Sequence, residues 1–88
     1  MMTESAVMSR VEALFRDLLD DDEIVLTTAT TARDVEDWDS VTHLELMVAI
    51  ERDFAIRFTT GEIAGFDDVG ALVRGILRHT PPDRESQA

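Results

Sequence analysis

Ser40 and His43 are the residues of this sequence whose types and spacing come nearest to a catalytic pair. They lie three positions apart in a stretch that predicts a helix, so their side chains would share one face. A serine beside a histidine is an arrangement that can activate a hydroxyl nucleophile. However, the sequence shows no nucleophile elbow and no obvious oxyanion hole, and 88 residues leave little room for a substrate cleft. On residue chemistry alone we expect no catalytic residue and no enzyme.

Metal and cysteine chemistry are equally poorly supported. The chain has no cysteine, which excludes disulfides, thiolate metal sites and cysteine nucleophiles. A twelve-residue calcium loop can be drawn from Asp34 to Glu45, but it places Trp38 at the fifth position and Asp39 where the sharp turn requires glycine. We therefore predict no metal site.

The dipeptide Asp39-Ser40 precedes an apolar helical stretch, and either residue can serve as its N-cap. The start of a helix, with its unpaired amides and positive dipole end, also favours a phosphate attached or bound there. The ordinary N-cap is the simpler interpretation, and the dipeptide alone does not decide between the two.

The charge of the chain restricts its partners. Nineteen acidic residues against eight basic ones give a net charge of −11, which argues against nucleic acid or an anionic membrane as a ligand and favours a basic protein partner. The longest uninterrupted apolar run, Leu46 to Ile50, has five residues, so we expect no membrane span and no signal peptide. A cytoplasmic monomer is the expectation.

Hydrophobic periodicity predicts helices over residues 4–19, 39–54 and 67–79, with a short helical turn over 61–64. A long loop, residues 20–38, follows the first helix, and its apolar group Ile24, Val25 and Leu26 suggests that it is partly pinned to the core. No segment alternates as a strand does. The expected fold is an all-α bundle of three main helices and one short helix within residues 1–80, followed by a disordered tail, 81–88.

The second main helix carries two apolar arcs. Leu46, Met47, Ile50 and Phe54 form one coherent arc, on which His43 also falls, as a satisfied structural histidine would. Val41, Leu44 and Val48 lie nearly opposite, beside the charged residues Glu45, Glu51 and Arg52. Either the long loop covers this second stripe, or the stripe is an exposed surface for protein docking.

The segment DVEDWDSVTHLELMVAIERDF, residues 34–54, resembles the Asp-Ser-Leu motif and following helix of acyl carrier proteins. The similarity continues through Ile56, Phe58, Ile63, Phe66, Val69, Leu72 and Ile76. It implies that a phosphopantetheinyl transferase attaches 4′-phosphopantetheine from coenzyme A to Ser40, beside Asp39. The arm's thiol would then carry an acyl group as a thioester, so that a chain without cysteine could still serve in thiol chemistry.

The resemblance also implies roles for both arcs. The partner-binding face, which docks on basic patches of transferases, acyl ligases, acyltransferases and synthases, corresponds to Val41, Leu44, Glu45, Val48 and Glu51. The interior, part of which shelters the acyl chain in fatty-acid carriers, corresponds to Leu46, Met47, Ile50, Phe54, Phe58, Ile63 and Phe66.

Four departures from the family pattern indicate the pathway. Val41 replaces the usual leucine, Thr42-His43 replaces Asp-Thr, and Arg52 stands where fatty-acid carriers usually have glutamate. These favour polyketide, specialised acyl or lipid-modification metabolism over primary fatty-acid synthesis. Trp38-Asp39 stands where peptidyl carriers usually have Gly-Gly, which makes an aminoacyl cargo the weaker alternative. A hypothesis of another class is an acidic helical adaptor that binds a basic partner and is never modified.

Overall fold

The computed structural model describes residues 3–79, and these form four helices: α1 (Glu4–Leu18), α2 (Ser40–Phe54), α3 (Thr60–Ala64) and α4 (Val69–His79). No β-strand occurs in this range; Thr31 and Asp68 form an isolated backbone bridge. None of these helices is long and apolar enough to cross a bilayer. The all-α prediction is confirmed, whereas the tail predicted for residues 81–88 lies outside the described residues.

Helix α1 begins where Thr3 accepts a hydrogen bond from the Ala6 amide at 3.0 Å, which satisfies one of the free amides of its first turn. The helix ends at Leu18, one residue before the predicted end. Asp20 then adopts a left-handed conformation, with φ of 53°, and the chain turns into the long loop.

Three helices supply the centre of the core. Helix α1 packs against both α2 and α4, and each contributes one apolar face. The side chains that are almost completely buried are Val7, Val11 and Phe15 from α1, Leu46, Met47 and Ile50 from α2, and Val69, Leu72, Val73 and Ile76 from α4.

The long loop between α1 and α2 is packed and hydrogen bonded to α1. The Leu26 amide donates to Glu12 Oε2 at 2.9 Å, and the Arg16 Nε donates to the Ile24 carbonyl at 2.8 Å. Leu26 is buried, Ile24 is half-buried and Val25 is exposed, so the predicted pinning holds for two of the three apolar residues.

The same loop receives the first amides of α4. The Val69 and Gly70 amides donate to the Thr30 and Thr28 carbonyls, both at 2.8 Å, while Asp68 caps the helix by accepting from the Ala71 amide at 2.7 Å. A Cβ atom at position 70 would lie 2.8 Å from the Thr28 carbonyl oxygen. Glycine is therefore needed for this close approach, which fixes the loop that leads to α2.

Candidate functional site at the start of α2

Ser40 is the first residue of α2, and its side chain is exposed. None of residues 3–79 forms a hydrogen bond with its hydroxyl group. Ser40, the residue predicted for attachment, is thus accessible, and its hydroxyl makes no hydrogen bond within residues 3–79.

Asp39, not Ser40, is the N-cap. Its Oδ1 accepts from the amides of Val41 at 3.0 Å and Thr42 at 2.9 Å, and the Thr42 Oγ1 accepts from the Asp39 amide at 2.7 Å in return. The hydrogen bond from the Thr42 amide, followed by that from its hydroxyl, lowers the pKa of Asp39 below its usual value. The carboxylate is consequently ionised and committed to holding the helix start.

This cap determines how a phosphate would fit at Ser40. The Val41 and Thr42 amides are taken by Asp39 Oδ1, and the His43 amide donates to the Asp39 carbonyl at 2.8 Å. Of the first four amides of α2, the Ser40 amide alone has no acceptor among residues 3–79. A phosphodiester on Ser40 has space and the helix dipole, but no cradle of amides. The site fits a phosphate tethered by a covalent bond better than a free anion.

Thr42 is a functional neighbour that the sequence interpretation missed. Its hydroxyl oxygen also lies 2.7 Å from the Asp37 carbonyl oxygen, so its one proton is shared between this carbonyl and the Asp39 carboxylate, and the contact ties the end of the long loop to the first turn of α2. The signal was available, since Asp39 and Thr42 have the spacing of a capping box, with threonine in place of the more familiar glutamate or glutamine.

His43 connects α2 to two other parts of the chain. Its Nδ1 accepts from the indole Nε1 of Trp38 at 3.0 Å, and its Nε2 lies 2.9 Å from the Ile63 carbonyl oxygen in α3. Because indole N–H is only a donor, Nδ1 must be the unprotonated nitrogen, and Nε2 carries the proton that it donates to Ile63. Neither nitrogen is left to accept a proton from Ser40. The geometry therefore does not support a hydrolase in which His43 activates Ser40.

An open groove of about 630 Å³ runs from Ser40 between the start of α2 and α3. Its lining is mostly apolar and includes Ser40, His43 and Leu44 from α2, Ile63 and Ala64 from α3, and Phe66. A flexible arm on Ser40 could lie in this groove without any rearrangement of the core.

The second apolar stripe of α2 is exposed. Val41 is 68% exposed, Leu44 57% and Val48 48%, so the long loop does not cover them. We call these three residues the docking strip. Glu45 is exposed beside it, and Arg52 is exposed one turn beyond Val48. Glu51 is half-buried and its Oε2 accepts from the Phe58 amide at 2.8 Å, so this carboxylate also holds the segment after α2 in place.

The predicted interior residues divide into two groups. Leu46, Met47, Ile50, Phe58 and Phe66 are buried, whereas Phe54 and Ile63 are half-buried at the edge of the core. Phe54 lies in the last turn of α2 with the Arg10 guanidinium 5.3 Å from its ring centre. Ile63 lines the groove. Only Ile63 and Phe66 of the seven adjoin the groove at Ser40.

A solved structure resembles this arrangement. The solution NMR structure of a holo acyl carrier protein from Geobacter metallireducens superposes with a TM-score of 0.78 and is 36% identical in sequence. The match covers 83% of this chain and 84% of that one. No protein-family model and no curated protein matches the chain. Identity of this level over most of both chains, on the same helical fold, shows that the chain belongs to the acyl carrier protein family, and so is a carrier and not an enzyme.

Proposed function

We propose that the chain carries acyl groups as thioesters on a 4′-phosphopantetheine arm attached to Ser40. The observation that carries this proposal is the Ser40 hydroxyl, which is exposed and free of structural hydrogen bonds at the rim of an apolar groove. The holo state of the similar carrier from Geobacter metallireducens supports the same cofactor.

In the attachment step, a phosphopantetheinyl transferase acts on coenzyme A. The Ser40 oxygen forms a bond to the phosphorus that bears pantetheine, the bond to the other phosphate of the pyrophosphate breaks, and the hydroxyl proton leaves to a base of the transferase. Asp39 is poorly suited to be that base, because the hydrogen bonds to its Oδ1 lower the pKa of the carboxylate. When bound, the arm supplies a thiol for thioester formation.

The docking strip, with Glu45, is the surface we propose for partner enzymes. Exposed apolar side chains supply contact area, and a net charge of −11 favours partners with basic patches and raises their encounter rate. These partners are a phosphopantetheinyl transferase and an acyl ligase, acyltransferase or synthase. We place the carrier in the cytoplasm as a monomer.

For the pathway, we propose polyketide or other specialised acyl metabolism. Arg52 is exposed and in line with the docking strip, where it makes the face less acidic than the face of fatty-acid carriers. Aminoacyl cargo remains the alternative.

Intact mass spectrometry tests the attachment. Incubation with coenzyme A and a broad-specificity transferase should add the mass of one phosphopantetheine to the native chain and nothing to Ser40→Ala. Ser9→Ala, which removes an exposed serine from α1, is the matched control and should be modified fully. An unchanged mass of the native chain would favour the unmodified adaptor.

A further inference from the structure

The side chains that lead from the attachment site into the core follow one face of α2. Ser40, His43, Met47 and Ile50 are spaced by three or four residues, so they succeed one another along the helix. Met47 and Ile50 are 1% and 0% exposed. Any chain that passed from Ser40 along this face into the interior would meet His43 first.

His43 is held across that path from both sides. The hydrogen bond from Trp38 fixes Nδ1, and the hydrogen bond to the Ile63 carbonyl fixes Nε2. The indole ring stacks on the imidazole, with ring centres 6.0 Å apart and an angle of 18° between the planes. Trp38 in turn packs edge-on against Phe15 and is 4% exposed. The imidazole therefore has little freedom to swing aside.

The hydrogen bond from His43 to Ile63 also closes the gap between α2 and α3. These helices form the two walls of the groove, and His43 lies within its lining together with Leu44 and Ile63. The groove thus passes over the core, where the buried residues Trp38 and Phe66 form part of its lining, and its lining does not extend to Met47 or Ile50.

We propose that His43 is a specificity-determining residue that keeps the cargo of the Ser40 arm in the groove and out of the core. This inference rests on the proposed attachment to Ser40. Its consequence is a preference for short or polar acyl groups, because an alkyl chain held in the open groove stays partly in contact with water and finds no apolar interior to enter.

The test uses chains loaded with butyryl or octanoyl pantetheine from the corresponding acyl-coenzyme A. In the native protein we expect the two forms to unfold within about 2 °C of each other, since the additional methylenes stay out of the core. In His43→Ala the octanoyl form should unfold roughly 10–20 °C above the butyryl form, because its four additional methylenes gain an apolar site. His43→Gln, which can keep the donor to Ile63, should behave as the native protein does.

His79→Ala is the control for loss of a structural histidine. His79 bonds to Glu62, so its loss loosens α3 as the loss of the His43–Ile63 bond does, but it leaves His43 in place; it should therefore lower both unfolding temperatures without separating them. NMR contacts give an independent readout: in the native octanoyl form the alkyl protons should contact Leu44 and Ile63. Contacts to Met47 or Ile50 instead would overturn the proposal, as would equal behaviour of His43→Ala and the native chain. Failure to load the chain at all, seen by mass, would overturn the proposed function together with this inference.

Discussion

Asp39 and Ser40 are neighbours with separate roles. Asp39 caps the helix, and Ser40 presents a hydroxyl group. The Asp39 carboxylate accepts from two amides of the first turn, while the Ser40 hydroxyl bonds to nothing in residues 3–79. Because a hydroxyl engaged as a cap would have to give up that bond on modification, the division leaves Ser40 available at no structural cost.

Substituting Asp39 and Ser40 one at a time should change the free energy of unfolding by different amounts. Asp39→Ala removes the cap and should cost about 1 kcal/mol. Ser40→Ala removes no hydrogen bond and should change the stability by less than about 0.5 kcal/mol. Urea denaturation followed by circular dichroism measures both values. A larger loss for Ser40→Ala than for Asp39→Ala would show that the serine is the cap.

The dipeptide itself could be predicted from the sequence, but the assignment of the cap within it could not. Both residue types cap helices well, and the choice depends on backbone conformation. The partners of His43 were beyond prediction for another reason. The Ile63 carbonyl is twenty residues away, and a backbone acceptor leaves no trace in residue type.

Among the elements, α3 depends most on its neighbours. A helix of five residues is too short to be stable alone. A capping box between Thr59 and Glu62 holds its start, and the Glu62 carboxylate also contacts His79 Nε2 at 2.8 Å. Glu62 therefore joins α3 to the end of α4, which keeps the outer wall of the groove in place.

Acid should weaken this junction. The hydrogen bond from the Thr59 amide, followed by that from His79, lowers the pKa of Glu62 from its usual 4.5 to about 2. Since the folded pKa is the lower one, the ionised form stabilises the fold fully above pH 4.5, and this contribution is lost as the pH falls towards 2.

The check is the difference in unfolding free energy between native protein and Glu62→Gln. We expect this difference to be largest at pH 5.5 and to shrink steadily down to pH 2.5. Glu45→Gln is the control, because Glu45 is exposed and has no partner among residues 3–79, so its difference should stay small throughout. A pH-independent difference for Glu62→Gln would contradict the assigned role of the carboxylate.

The sequence predicted that these helices exist, but it did not predict how every helix ends. The predicted end at residue 64 agrees with the end of α3, while α4 begins at Val69, two residues after the predicted start at residue 67. Helix α2, in contrast, ends with Ala55 in a left-handed conformation, with φ of 57°. Glycine is the usual residue there; with alanine, the amides of Ala55 and Ile56 both donate to the Glu51 carbonyl, which closes the end of the helix.

At the scale of the whole molecule, the geometry of the bundle leaves one face of α2 uncovered. Helix α1 packs against α2, and the arc of Leu46, Met47 and Ile50 lies in the core that α1, α2 and α4 share. The long loop is drawn towards α1 and α4 by its own hydrogen bonds. The sequence could show that α2 has two apolar arcs, but not which way the loop would pack. That choice depends on backbone pairing between Thr28, Thr30 and α4.

Val25 is an exposed valine outside the docking strip, and it allows a matched test of whether the strip binds partners. Val25 in the long loop is 72% exposed and Val41 in the strip is 68% exposed, so serine at either position removes a similar apolar area. If a transferase buries Val41, Val41→Ser should lower kcat/KM for Ser40 modification roughly tenfold, the ratio that corresponds to about 1.5 kcal/mol of lost burial.

Val25→Ser should leave kcat/KM unchanged within about twofold, and both variants should retain their helicity. Raising the ionic strength should lower kcat/KM of all three proteins in parallel, because screening weakens attraction to a basic partner without altering the apolar contact. Equal losses in the two variants would mean that apolar exposure in general affects the assay. An unchanged rate for Val41→Ser would show that Val41 supplies no apolar contact to the transferase and would leave charge to guide the partner.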